Sequence, residues 1–149
     1  MSLENATILL VEDEPNDVFF MERAFEKARL LNPLKVVNDG DQAIAYLKGE
    51  RQYADRTQFP FPFLMLLDLR MPRRNGFEVL EWLRAQPGLR RLLTVVLTAS
   101  KEGPDINQAY DLGANSYLVK PPKAEALTEM FQRLNSYWVA MNQPPECSP

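Results

Sequence analysis

Thr7-Ile-Leu-Leu-Val-Glu-Asp13 is the stretch from which the rest of the chain can be read. Its apolar run has the unbroken character of a strand buried on both faces, as in the middle of a parallel sheet. The run ends abruptly in two carboxylates, Glu12 and Asp13, and the Glu-Pro-Asn-Asp turn that follows can start a helix. The same arrangement recurs three times. Phe63-Leu-Met-Leu-Leu67 runs into Asp68, Leu93-Thr-Val-Val-Leu97 into Thr98, and Ser116-Tyr-Leu-Val119 into Lys120. In an open parallel sheet those strand ends converge on one rim, and ligands bind in the crevice beyond them. Three carboxylates, one hydroxyl and one ammonium gathered there would hold a divalent cation and a transferred phosphoryl group. Strand capping accounts for any one of these residues, but poorly for all five.

Between the strands the apolar spacing turns helical. Val18, Met21, Ala24, Phe25, Ala28 and Leu31 mark a first helix, stopped by Asn32-Pro33 before a second strand at Leu34-Lys-Val-Val37. Ala43, Ile44 and Leu47 mark a short helix closed by Gly49, and residues 50–62 form a long loop carrying Tyr53, Phe59 and Phe61. Val79, Leu80 and Leu83 face inward from a helix broken at Pro87-Gly88, and Ile106, Ala109 and Tyr110 stripe the next one. Leu127, Met130, Phe131, Leu134, Trp138 and Met141 give the last helix a wide apolar face. Five strands alternating with five helices predict an α/β, flavodoxin-like, doubly wound (βα)5 sandwich around a five-stranded parallel sheet of order 2-1-3-4-5. The expectation is one domain over residues 1–149, with its core at about 6–141 and a Pro-rich tail at 142–149 whose single cysteine, Cys147, is incidental.

Composition narrows the function. With 149 residues, 46% of them hydrophobic and 25% charged, the chain has the balance of one ordinary domain. Its apolar runs fall far short of the roughly 20 residues that span a bilayer, and Met1-Ser-Leu-Glu-Asn5 lacks the form of a secretory signal, so no membrane and a cytoplasmic address are expected. A net charge of −3 and no long basic run argue against nucleic acid as a partner. Arg70-Met-Pro-Arg-Arg74 and Arg90-Arg91 read as solvated faces or partner contacts. The absence of histidine removes serine–histidine and cysteine–histidine catalysis, histidine-ligated zinc and a phosphohistidine carrier.

In the predicted strand order Asp13 and Asp68 face each other across the switch point, with Glu12 alongside. Crowded carboxylates repel unless a cation neutralises them, and Mg2+ suits oxygen donors that leave room for water and phosphate; Mn2+ is the alternative ion. Asp13 and Asp68 are the expected direct ligands, with Glu12 acting through water and the Arg70 backbone carbonyl taking a further position. Asp68 is the candidate nucleophile, since a carboxylate can accept a phosphoryl group as a mixed anhydride. Lys120 would neutralise the phosphoryl oxygens, and Thr98 would donate to one of them beside the Ala99 N–H. Tyr117, on the last strand, would turn inward if Thr98 were drawn toward the phosphoryl group, changing the surface of the last two helices.

Ile8-Leu-Leu-Val-Glu-Asp-Glu14, Leu66-Leu-Asp-Leu-Arg-Met-Pro72 with Asn75-Gly76, Val96-Leu-Thr-Ala99 and Gly113-Ala-Asn-Ser-Tyr-Leu-Val-Lys-Pro121 together resemble the receiver domain of two-component response regulators. The resemblance covers about residues 6–141. It implies Asp68 as phosphoacceptor, Glu12 and Asp13 as the acidic pair, Thr98, Tyr117 and Lys120 as the switch set, and a sensor histidine kinase as phosphodonor. It also implies a cis Lys120–Pro121 bond, although Pro122 stands where an aromatic residue is commoner. A narrower resemblance, through Tyr53-Ala-Asp55 and the ending Tyr137-Trp-Val-Ala-Met-Asn-Gln-Pro-Pro145, is to the single-domain regulators that partner bacterial phytochrome kinases. That group implies a homodimer, for which Tyr137, Trp138 and Met141 are the interface candidates, and an unidentified downstream protein as listener. Turnover enzymes are a poorer match. A haloacid-dehalogenase-like phosphatase places a second aspartate two residues after its nucleophile, where this chain has Arg70. A receiver-like binding module that works without phosphate would lack Asp68, Lys120 or the acidic pair, and none is missing.

Overall fold

The computed structural model describes residues 3–149; Met1 and Ser2, on which part of the signal-peptide argument rests, lie outside them. Five parallel strands, β1 (Ile8–Val11), β2 (Leu34–Val37), β3 (Leu64–Leu67), β4 (Leu93–Thr98) and β5 (Ser116–Val119), are ordered β2-β1-β3-β4-β5. They alternate with α1 (Pro15–Lys27), α2 (Gly40–Lys48), α3 (Gly76–Arg84), α4 (Gly103–Asp111) and α5 (Ala124–Leu134). This is the predicted doubly wound sandwich. Side-chain alternation along the strands divides the core into two layers. Leu9, Val11, Met65, Leu67 and Val96 pack against α2 and α3, while Ile8, Leu10, Leu64, Leu66, Val95 and Leu97 pack against α1 and α5. Among the described residues no helix is long and apolar enough to cross a membrane.

Three helical stripes depart from the periodic reading. The first helix ends at Lys27, and Arg29 adopts a left-handed φ of 60°. That reversal turns Leu30 into the core and leaves Leu31 72% exposed. On α4 only Ala109 is buried, and Tyr110 points to solvent. After α5 the chain enters a π-helical turn, Asn135–Val139, with the Ala140 N–H donating to the Asn135 carbonyl five residues back. One residue per turn is gained, so the 3.6-residue period slips. Val139 becomes the buried residue, Trp138 lies at the margin of the core, and Tyr137 and Met141 are exposed.

The aromatic loop and the tail are both more structured than their composition suggests. Tyr46, Tyr53 and Phe59 pack ring against ring, and the Arg56 guanidinium donates to the Tyr46 and Leu47 carbonyls at the end of α2. Arg56 thereby adds a donor to the last-turn carbonyls of α2, where the Tyr46 carbonyl also accepts from the Gly49 N–H. The tail folds back beneath the sheet. The Ser148 N–H donates to the Gly88 carbonyl at 2.7 Å, and Cys147 packs against the core, where burial pushes its thiol pKa up.

Candidate functional site

Register assembles the site. Val11 pairs with both Val37 and Leu67, so the next residues along β1 and β3, Glu12 and Asp68, emerge side by side at the C-terminal rim. Thr98 at the end of β4 pairs with Val119, which delivers Lys120 to the same rim. Carboxylate oxygens of Glu12, Asp13 and Asp68 lie within 4.8 Å of one another. The Lys120 ammonium donates to Glu12, to Asp68 at 3.3 Å and to Asp17 at 3.0 Å. Glu12, Asp13, Asp68 and Lys120 thereby come together, and the β4–β5 register sets Thr98 at the same rim. Asp17, on the first turn of α1, is a sixth member that the sequence reading missed; its place four residues after Asp13, one helical turn into α1, was the available signal.

Burial sets the electrostatics. Glu12 is 1% exposed. Its desolvation, with the Asp68 charge adding to it, outweighs the Lys120 ion pair and pushes the Glu12 pKa up to about 7. For Lys120, burial works against the charged form, but the bond to Glu12 and the Asp68 charge overcome it and hold the pKa above that of an ordinary lysine. The cluster thus carries more negative charge than its one ammonium balances. Hard oxygen donors in that state fit a divalent cation such as Mg2+ or Mn2+.

The β3–α3 loop that carries Asp68 is fastened on both sides. The Asp68 side chain accepts from the Leu69 N–H at 2.8 Å, and Asn75 and Glu78 form a capping box that starts α3 immediately after the loop. A Cβ on Gly76 would lie 2.3 Å from the Asp68 carbonyl oxygen, so only glycine allows α3 to begin this close to the acceptor. The three loop arginines each pair with an aspartate of a flanking helix: Arg73 with Asp39, Arg74 with Asp41 and Arg70 with Asp105. They are neither a free basic patch nor simply solvated.

On the β4–α4 side, the Tyr117 hydroxyl donates to the Ser100 carbonyl at 3.0 Å, and its ring packs against the core. Tyr117 is half-buried there, with its hydroxyl tied to the β4–α4 loop. The Ser100 hydroxyl donates at 2.6 Å to the same Asp105 oxygen that receives Arg70 at 2.7 Å. The Ser100 and Arg70 hydrogen bonds hold Asp105 below the usual carboxylate range.

One expectation fails. There is no cis peptide bond among the described residues, so Lys120–Pro121 is trans. The trans form is the intrinsically favoured one. It still satisfies the geometry, because the Lys120 N–H donates to the Thr98 carbonyl at 2.7 Å while the ammonium reaches Asp68.

Five parallel strands with acidic, hydroxyl and ammonium side chains at one rim define a class, and comparison with known proteins identifies it. The family model of the response regulator receiver domain matches residues 8–132, and the chain belongs to that family. It is 36% identical over 142 residues to the probable methanogenesis regulatory protein FilR2 of Methanothrix harundinacea, covering 93% of this chain and 86% of the relative. It is 35% identical over 132 residues to response regulator Rcp1 of a Synechocystis strain, covering 89% of this chain and 88% of Rcp1. The solved Mn2+-bound form of Rcp1 superposes with a TM-score of 0.83 at 34% identity, over 94% of this chain and 99% of that one. The phosphorylated cyanobacterial phytochrome response regulator RcpA gives 0.87 at 32% identity, over 95% and 99%.

Proposed function

We propose that this chain is a single-domain receiver that takes a phosphoryl group from a sensor histidine kinase onto Asp68, in a phytochrome-linked pathway. One observation carries the reading: a buried carboxylate at the end of β3 lies within reach of one ammonium and two further carboxylates. A carboxylate oxygen of Asp68 attacks phosphorus as the P–N bond to the kinase imidazole breaks, and the freed nitrogen takes a proton from solvent. Lys120, held at 3.3 Å from Asp68, neutralises a phosphoryl oxygen. Thr98 donates its hydroxyl to another, beside the Ala99 N–H. Asp13, Asp68 and the Arg70 carbonyl would hold Mg2+, with Glu12 acting through water, and the bound ion would supply charge neutralisation for the phosphoryl oxygens.

Each acceptor is modified once and reset by hydrolysis of the acyl phosphate, without turnover of free substrates. The phytochrome link rests on the likeness to RcpA and Rcp1, and the metal on the Mn2+-bound form of Rcp1. A cytoplasmic site agrees with a kinase that presents its phosphohistidine there. A homodimer through the last helix agrees with a groove of about 450 Å³ lined by Leu118, Met130, Leu134, Tyr137 and Trp138, beside exposed Met141.

Acetyl phosphate with Mg2+ tests the acceptor. Intact mass should rise by one phosphoryl group, and Asp68→Asn should abolish the gain. An adduct that survives the substitution overturns the assignment. Light-dependent transfer from a bacterial phytochrome kinase tests the partner.

A further inference from the structure

The two loops that flank the Asp68 carboxyl are joined through a single oxygen. Asp105 Oδ2 accepts from the Arg70 guanidinium, two residues beyond Asp68, and from the Ser100 hydroxyl, two residues beyond Thr98. Little else fixes the second loop. Ser100 Oγ also accepts from the Glu102 N–H at 3.3 Å, which serves as the cap α4 otherwise lacks. The helix itself commits only Ala109 to the core, and a Cβ on Gly103 would meet nothing within 4 Å. The Ser100 carbonyl is the acceptor for Tyr117. Anchoring Ser100 therefore sets the position of Thr98–Ala99, which must face a phosphoryl group, and of Tyr117, which responds to it.

We propose that Asp105 is a positioning residue for phosphoryl chemistry at Asp68, acting through Ser100 to hold the β4–α4 loop in its phosphoryl-receiving position. The inference rests on the reading of Asp68 as phosphoacceptor. Without the carboxylate the loop samples several conformations, and the cost of ordering it falls on the step that binds the phosphoryl group. Arg70 has the lesser part. Its side chain is 64% exposed and stacks over Phe77 whether or not Asp105 receives it.

The probe is beryllofluoride, a phosphoryl mimic that binds a carboxylate, titrated in the presence of saturating Mg2+. Asp105→Asn and Ser100→Ala should each weaken beryllofluoride binding about fivefold, and the double variant should be no weaker than either single one. The Mg2+ dissociation constant, followed by tryptophan fluorescence, should move less than twofold in all of them, because its carboxylates lie on β1 and β3. A general structural defect would weaken both ligands. Parent-like beryllofluoride affinity in Asp105→Asn overturns the proposal. So do additive losses in the double variant, or a loss that Arg70→Ala reproduces and Ser100→Ala does not. Asp68→Asn separates the two readings: beryllofluoride binding that survives it sinks the phosphoacceptor assignment, whereas abolished binding with an unaffected Asp105→Asn sinks only this inference.

Discussion

The helix on one side of the acceptor, α2, is built into the molecule, whereas the helix on the other side, α4, is laid against it. Six of the nine residues of α2 are buried, including Ala43, Tyr46 and Leu47, and Arg56 caps its far end. Its start is tied to the acceptor loop through backbone: the Gly40 N–H donates to the Arg74 carbonyl, and a Cβ on Gly40 would lie 2.1 Å from that oxygen. Asp39, itself buried, caps α2 and binds Arg73. By contrast α4 buries one residue, has no side-chain cap from its own N-cap position, and is joined to the acceptor loop by the Arg70–Asp105 pair. Local stability follows buried contacts. The α2 flank therefore acts as the fixed wall of the phosphoryl site, and the α4 flank is the part that can respond.

Substitutions can break this contrast. The largest effect is expected at the fixed wall, where Gly40→Ala forces a methyl into the Arg74 backbone; about 3 kcal/mol of stability should be lost in chemical denaturation. An Ala variant of parental stability would show that the wall gives way. Between the flanks, Glu12 tests the centre. Its folded pKa near 7 lies above the ordinary 4.5, so the metal-free folded state binds the proton more tightly than the unfolded chain. That stability is complete below about pH 4.5 and lost as pH rises through 7, a change on the order of 3 kcal/mol. Glu12→Gln should remove this dependence in thermal melts without metal, and Mg2+ should reverse the fall in the parent.

Smaller effects sharpen the comparison. Asp39→Ala removes a helix cap and leaves Arg73 unpaired, and should cost about 1.5 kcal/mol. The corresponding change on the α4 side, Asp105→Asn, should cost clearly less, because the arginine it pairs with is solvent-exposed and its other partner is a loop hydroxyl. Equal costs would contradict the contrast. Hydrogen exchange gives the gentlest test: amides of residues 43–47 should exchange near the global unfolding rate, and those of residues 104–109 much faster.

The legible parts of this molecule were those governed by short-range pattern. Residues 34–37 and 116–119, the half-buried edge strands, were recognisable to the residue as short apolar runs bounded by turn-forming residues. The strand-end residues were legible for the same reason, since parallel order alone brings Glu12, Asp68, Thr98 and Lys120 to one rim. Helix stripes were read less well. Leu31 and Met141 fit the helical period but are exposed, because a left-handed Arg29 and a π turn after Leu134 changed the phase. Asp17 and Asp105 escaped notice because each has its partner on another element, and nothing local distinguishes them from an ordinary helix-start aspartate.

Hydrophobic periodicity and chain direction, both written in the sequence, determined the sheet, its order and the chemistry at its rim. Tertiary structure alone decided how firmly each flank of that rim is held. Firmness depends on which side chains meet across gaps of 30 or more residues, as Arg70 meets Asp105 and Arg73 meets Asp39, and such meetings follow from packing. The bond from the Tyr117 hydroxyl to the Ser100 carbonyl was decided at that same level, since it joins two separate elements.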